Sequence, residues 1–383
     1  MFRIILTLVF LVQFTVISAQ APKRFSEEVA RSFINRFPDP DVIRWGSQDN
    51  HFTWQAGYVM LAMEKMWRMT NDTTYLNYVR RYVDQNVGAD GSVPNFSPRA
   101  LDNFIPGYAC LLMYEQTGEQ RYALAAEHIR EGFRDYPRNK HGIFYHSKSI
   151  PQLWVDGVFM GQIFLARYAK TLGHPEDFAE VIRQVKGLVS LCGKENGLLY
   201  HAWAEQGKAR WAKDGDGHSP EVWSEGMGWA AVLFADLFDY LPENLSEREE
   251  LMEALVRMCR GLRECQDAET GMWCQVVDKP LMEGNWNETS GTGMYIYLLQ
   301  SAVNKGYVPA AEYQPVIDRA YRGIVTKGVR NSDGAYNLID CSSIGVKNSY
   351  EEYISQPREI STYAAFGSFI IGTGIVEHMN LGQ

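Results

Sequence analysis

From Trp54 onward, two kinds of apolar and polar pattern take turns along the chain. One kind, as in Val158-Phe159-Met160-Gly161-Gln162-Ile163-Phe164-Leu165-Ala166, is apolar nearly all round a helical axis and predicts a helix buried on every side. The other, as in Arg80-Arg81-Tyr82-Val83-Asp84, places apolar and charged residues at helical spacing and predicts a helix with one face in water. The two kinds come in pairs joined by short turns. The first pair runs from Trp54-Gln55-Ala56-Gly57-Tyr58 to Met69, turns at Thr70-Asn71-Asp72 and continues from Thr74 to Val87. The second starts at Asp102-Asn103-Phe104-Ile105-Pro106-Gly107-Tyr108, turns at Thr117-Gly118-Glu119 and ends near Phe133. The third starts at Trp154-Val155-Asp156-Gly157, turns at Leu172-Gly173-His174 and ends near Val189. Further starts stand at Trp223-Ser224-Glu225-Gly226, at Trp286-Asn287-Glu288-Thr289-Ser290-Gly291 and at Tyr363-Ala364-Ala365-Phe366-Gly367.

Gly57, Gly107 and Gly157 are equally spaced, the mark of a structural repeat. A helix pair cannot bury its apolar member alone, so stacked pairs close a ring. The expected fold is all-α, an (α/α)6 barrel of buried helices wrapped by amphipathic ones. The sixth start has no second helix behind it, and the amphipathic stretch Ser26 to Phe37 is the expected substitute. Because every motif begins an inner helix, all six converge on one end of the ring. Helix N-termini present N–H groups and a positive dipole there, which favours an anion. The long connections 196–220 and 331–358 carry Gly, Asp, His and aromatic residues, as binding loops do.

Composition adds a destination. Residues 1–19 have a charged start, an apolar middle from Ile4 to Ile17 and a small-residue exit at Ser18-Ala19, the pattern of a secretory signal. The expected mature chain, 20–383, is one catalytic domain exported to a periplasm or beyond, and no later segment is apolar enough to span a membrane. A formal net charge of -9 with no basic stripe argues against nucleic acid or an anionic membrane as partner. Six Cys are scattered without a CxxC pair, so neither a metal nor a cofactor is expected. Export permits a disulfide, and Cys265 with Cys274 is the expected pair.

Chemistry concentrates at the helix starts. Asp102, Asp156, Glu225 and Glu288 each stand there, and each has a plain reading as a cap worth about 1 kcal/mol. Capping accounts for one or two. Carboxylates facing one another among aromatic rings are also the arrangement of glycosidic chemistry, one acting as acid and another holding water. Trp54, Trp154, Trp223 and Trp286 either plug the barrel end or offer flat faces to a sugar. Of the loop histidines His146, His201 and His218, the best placed is His201 in Tyr200-His201-Ala202-Trp203. No catalytic triad, phosphate-binding glycine loop or metal-ligand spacing occurs.

Four stretches together carry a resemblance: Leu101-Asp102-Asn103-Phe104-Ile105-Pro106-Gly107, Gln152-Leu153-Trp154-Val155-Asp156-Gly157-Val158-Phe159-Met160, Ser219-Pro220-Glu221-Val222-Trp223 through Gly228-Trp229, and Glu288-Thr289-Ser290-Gly291. From about Trp54 to Gly306 the chain resembles the unsaturated rhamnogalacturonyl hydrolases of glycoside hydrolase family 105 and, more distantly, the unsaturated glucuronyl hydrolases. The resemblance implies an (α/α)6 barrel that removes a 4,5-unsaturated uronic acid from lyase-generated oligosaccharides. It implies that Asp156 protonates C4 of the vinyl ether and then activates water for addition at C5, with Asp102 as its acidic partner. It further implies that His201, Trp223 and Trp229 line the pocket, that Trp54 is a stacking face and that His146 lies near the bound sugar.

Two positions depart from the family pattern. Glu225 stands where an Arg helps hold substrate, and Ser361-Thr362-Tyr363 stands where an Asn-Asp pair precedes the last inner helix. An acid in place of the Arg is expected to repel a carboxylate unless Arg99, Lys148, Arg210 or Lys213 substitutes. Two other functions remain open on the residues alone. One is hydrolysis of saturated glycosides by Asp156 and Glu225, and the other is sugar binding without turnover.

Overall fold

The computed structural model describes residues 24–44, 52–213, 215–343 and 345–378. The expected leader at 1–19 lies outside them. Helix α1 (Phe25–Arg36) comes before three hairpins: α2 (Trp54–Thr70) with α3 (Thr73–Asn86), α4 (Pro106–Thr117) with α5 (Gln120–Glu131), and α6 (Val155–Leu172) with α7 (Phe178–Cys192). Then follow α8 (Ser224–Leu237), α9 (Arg248–Glu264), α10 (Thr289–Asn304), α11 (Ala310–Val325), the short α12 (Tyr350–Ile354) and α13 (Tyr363–Glu377).

The all-round apolar helices pack in the order α2, α4, α6, α8, α10, α13 and back to α2, which closes the inner ring of an (α/α)6 barrel. Their turns stop where the sequence places residues that tolerate left-handed backbone. Asn71, Gly118 and Gly173 end α2, α4 and α6 with φ of 57°, 71° and 76°. The repeat glycines serve close approach instead. A Cβ on Gly57 would lie 2.7 Å from Ile105 Cγ2 and 2.8 Å from the Pro106 nitrogen. One on Gly157 would lie 3.0 Å from His146 Nδ1. Gly57 and Gly157 let a helix start nestle against a neighbouring loop, and Gly107 lets one approach the Phe164 ring of α6.

Helix α1 packs on α13 and completes the outer layer, as expected. Phe33 meets Phe366 edge-on at 5.0 Å. The Glu377 carboxylate, at the end of α13, accepts from the backbone N–H groups of Phe25 and Ser26 at 3.0 Å each. It thereby caps the start of α1, whose own N-cap residue Arg24 makes no side-chain cap bond.

Short antiparallel strand pairs dress the end where the inner helices start. β1 (Gln152–Trp154) pairs with β2 (Ala202–Ala204), and β3 (Trp273–Cys274) with β4 (Asn287–Glu288). β5 (Gly328–Arg330) pairs with β6 (Tyr336–Leu338). The long connection 196–220 is therefore anchored by β2.

Towards the other end of the inner helices, Arg167 of α6 is buried against Glu64 of α2 at 2.7 Å and reaches Glu115 of α4 at 2.5 Å. Among the described residues no helix is long and apolar enough to cross a membrane. The expected Cys265–Cys274 disulfide is not formed, and all six thiols are free. Cys265 closes the end of α9, whereas Cys274 sits in β3 with its sulfur taken by the Asn287 side-chain amide at 3.5 Å.

Candidate active site

The β1–β2 ladder sets Trp154 opposite Ala202, and the Val155 N–H donates to the His201 carbonyl at 3.0 Å. This register brings the His201 ring to the first turn of α6. There His201 Nε2 is hydrogen-bonded to Asp156 Oδ2 at 2.7 Å. His201 is fully buried, while Asp156 keeps 17% of its side chain exposed. The imidazole is wedged between Trp154, at 5.4 Å, and the edge of Trp223, at 4.6 Å, so it holds the carboxyl from behind and leaves its front open.

Asp102 forms a second acid–histidine pair. It lies in the 3-10 turn Leu101–Phe104, and its Oδ2 is 3.6 Å from His146 Nε2. The Leu101 N–H donates to the His146 carbonyl at 3.0 Å, and the His146 ring stacks on Trp154 at 4.2 Å. Burial pushes the Asp102 carboxyl above its ordinary value; His146 pulls it down and the Asp156 charge pushes it further up. Trp154 thus stands between two acid–histidine pairs, with its own N–H held by Gln152 at 2.7 Å.

Capping settles on one acid of the four. Glu288 is the N-cap of α10 and accepts from the N–H groups of Ser290 and Gly291 at 2.6 Å each. Asp156 and Glu225 lie inside the first turns of α6 and α8 and cap neither helix. Burial pushes Glu225 well above the usual carboxylate range, the Glu288 charge adds to this, and a bond with Ser290 only partly opposes it. With 2% of its surface exposed, Glu225 is held towards its protonated, uncharged form by burial. Burial thereby weakens the repulsion expected from an acid in this position.

The aromatic residues divide by exposure. Trp54 and Trp154 are half-buried, and Trp54 lines the cavity beside Glu225. Trp223 and Trp229 are each 1% exposed and form the floor beneath them. Trp229 stacks on Phe159 at 5.5 Å and meets Trp54 edge-on at 5.8 Å, and the Trp223 N–H donates to Ser342 Oγ at 2.8 Å. His218 stacks on Tyr200 and pairs with Asp216 at 2.7 Å, apart from the acid cluster.

Beside Glu225 opens a cavity of about 330 Å³ whose walls include Arg44, Trp54, Gln55, Ser342, Ser361 and Tyr363. Thr362, at the position of the departed Asn-Asp pair, also lines it and caps α13 by accepting from the Ala365 N–H at 3.1 Å. Arg99, Lys148, Arg210 and Lys213, the cations expected to compensate for Glu225, are all exposed and outside this wall. Sequence reasoning missed Arg44. It follows the 3-10 turn Pro40–Val42 in a stretch before the first repeat, where neither periodicity nor motif singles it out.

Known proteins share this architecture. A glycoside hydrolase of family 105 from C. acetobutylicum ATCC 824 superposes with a TM-score of 0.84 at 27% identity, covering 93% of this chain and 99% of that one. In sequence, Protein Atu3128 of Agrobacterium fabrum is 33% identical over 153 residues, 40% of this chain and 65% of that protein. The unsaturated 3S-rhamnoglycuronyl hydrolase of Formosa agariphila is 26% identical over 183 residues, 46% of this chain and 47% of that protein. The aligned stretch thus spans about half to two-thirds of the length of these curated relatives. The model of Glycosyl Hydrolase Family 88 matches residues 25–377, from the first described helix to the end of the last, and the chain belongs to that family.

Proposed function

We propose that this chain removes a terminal 4,5-unsaturated uronic acid, galacturonyl or glucuronyl, from lyase-generated oligosaccharides by hydrating the C4=C5 double bond. The observation that carries the reading is Asp156, open to the mouth and held from behind by buried His201, with Asp102 paired across Trp154. Family membership and a relative named for unsaturated rhamnoglycuronyl hydrolysis support it.

The step needs an acid and then a base at one place. Asp156 delivers a proton to C4, and positive charge develops at C5 beside the ring oxygen. The Asp156 carboxylate then takes a proton from water as its oxygen bonds to C5. The resulting C5 hemiketal opens to a ketone, and C1 releases the neighbouring sugar. The atoms of one water molecule are all accounted for, and no covalent nucleophile is required. His201 fixes the rotamer of Asp156 through both roles. Trp54 and Trp154 offer faces to the flattened ring.

The test is direct. Purified protein is expected to abolish the ultraviolet absorbance of an unsaturated uronide disaccharide, and Asp156→Asn to lose at least about 100-fold of that rate, the usual scale for a positioned acid–base group. Ring-opened keto product identifies hydration, whereas an intact saturated sugar would identify displacement at C1. A wild-type protein that leaves galacturonyl and glucuronyl substrates alike unchanged overturns the reading.

A further inference from the structure

The helix starts around this mouth carry Asp102, Asp156 and Glu225, and the cavity wall adds Glu359. A carboxylate that approaches such a cluster requires a cation within reach, or binding is opposed. Among the described residues that line the cavity, Arg44 is the one basic side chain. We propose that Arg44 is the specificity-determining residue of this site, receiving the carboxylate of the terminal sugar on the side of the mouth opposite Asp156. The proposal rests on the unsaturated-uronide reading and adds to it the group that selects for the acid.

The geometry supplies three supports. First, the inner ring runs α2, α4, α6, α8, α10, α13, so α13 stands three helices from α6 in either direction. Arg44 lies at the start of α13, close enough for its charge and its backbone N–H to oppose the rise that burial imposes on the Tyr363 phenol. Asp156, in the first turn of α6, belongs to the opposite side of the ring.

Second, the backbone that carries Arg44 is fixed. Ile43 is fully buried, and its carbonyl accepts from Thr53 Oγ1 at 3.4 Å, just before α2 begins. The guanidinium therefore starts from a defined point. Its planar fork matches a carboxylate in two parallel hydrogen bonds.

Third, apart from Glu359, exposed at the rim, and Glu225, the rest of the cavity wall is uncharged and sugar-like in its chemistry. Ser342 and Ser361 bring hydroxyls, Gln55 an amide and Trp54 a ring face. Glu225 is buried with Oε2 bonded to nothing in the protein, and it bridges the cavity to the Asp156 side. That unbonded oxygen faces no protein partner, and in the protonated form favoured by burial it offers an O–H donor to a ligand oxygen between the two walls. About 330 Å³ is at the lower end of small-ligand pockets, the scale of one pyranose.

The experiment compares an unsaturated uronide disaccharide with its uronate methyl ester, using wild type, Arg44→Gln and Arg44→Lys. Wild type is expected to favour the acid. Arg44→Gln is expected to raise KM for the acid about ten-fold or more, with a smaller change in kcat and none for the ester, and Arg44→Lys to recover part of the loss. Equal losses on acid and ester would assign Arg44 a structural role and overturn the proposal. So would an unchanged KM for the acid. If wild type turns over neither compound, the hydrolase reading has failed, and Arg44 is judged by calorimetric titration with a saturated uronate and its methyl ester. A preference for the acid that disappears in Arg44→Gln upholds the assignment, and its absence in wild type overturns it.

Discussion

His201 and Asp156 illustrate how one backbone bond sets up chemistry: the Val155 N–H to His201 carbonyl bond brings the His201 ring to the first turn of α6, where it meets Asp156 at 2.7 Å. Glu225 occupies a different physical regime. Burial ranks first among the causes that raise it and favours the protonated form, in which the side chain is a hydrogen-bond donor with no charge. Glutamine has the same shape and also donates, so Glu225→Gln is expected to retain kcat/KM within about three-fold, the scale of one exchanged neutral hydrogen bond. Steady-state kinetics on an unsaturated disaccharide check this. Inactivation as deep as that of Asp156→Asn would mean that Glu225 transfers a proton, as a displacement mechanism with a carboxylate pair requires. Asp102 and Asp156 were legible in sequence because each stands at a helix start in a repeating frame. The pull of Glu225 towards its protonated form was not, because it is a consequence of desolvation by residues far away in the chain. Nor was Arg44, whose position beside Glu225 exists only once the ring has closed.

Between elements, the barrel must join its first helix to its last. Glu377 does so by accepting from the first two N–H groups of α1, and the Ser26 hydroxyl and the Tyr321 hydroxyl bond to the same carboxylate. No local residue replaces it, since Arg24 has no acceptor to offer. Glu377→Ala is expected to cost about 1–2 kcal/mol, the upper range for loss of a helix cap. The loss should appear as a lowered urea midpoint with the slope of the transition unchanged. A midpoint equal to wild type would show that α1 is held by its apolar face alone. The existence of α1, its amphipathic face and its place in the outer layer could be read from spacing, because Phe33 and the other apolar residues recur at helical intervals. The clasp itself could not. It joins residues from opposite ends of the chain, and no periodicity relates them. Strand β2 escaped notice for a related reason, since three residues are too few to show alternation.

Across the whole molecule, the buried acids set how stability varies with pH. Asp102, Glu225, Glu288 and Glu377 are all raised, each chiefly by burial. Glu64 runs the other way: burial opposes its ionisation, but Arg167 prevails and lowers it. For a raised carboxyl the folded state keeps its proton after the unfolded chain has released one, so ν_N exceeds ν_U and stability falls as pH rises. That window opens near the ordinary values, 3.8 for Asp and 4.5 for Glu, and closes at the raised folded value. The contribution of Glu64 is instead present above 4.5 and is lost only as pH falls through its lowered folded value. Above about pH 4.5 the raised group therefore dominates, at about 1.4 kcal/mol per pH unit for each proton retained. The melting temperature is expected to decline as pH rises from 5 to 8; buried His378, lowered from 6.5 chiefly by burial, opposes the decline only below its ordinary value, and Lys65, raised, acts only at alkaline pH. Glu225→Gln removes one of these protons and should flatten the decline, giving a variant that gains on wild type as pH rises. Calorimetric scans of both proteins across that range decide it. Parallel slopes would mean that Glu225 is already ionised in the folded state, and with that the donor role assigned to it at the mouth would fall.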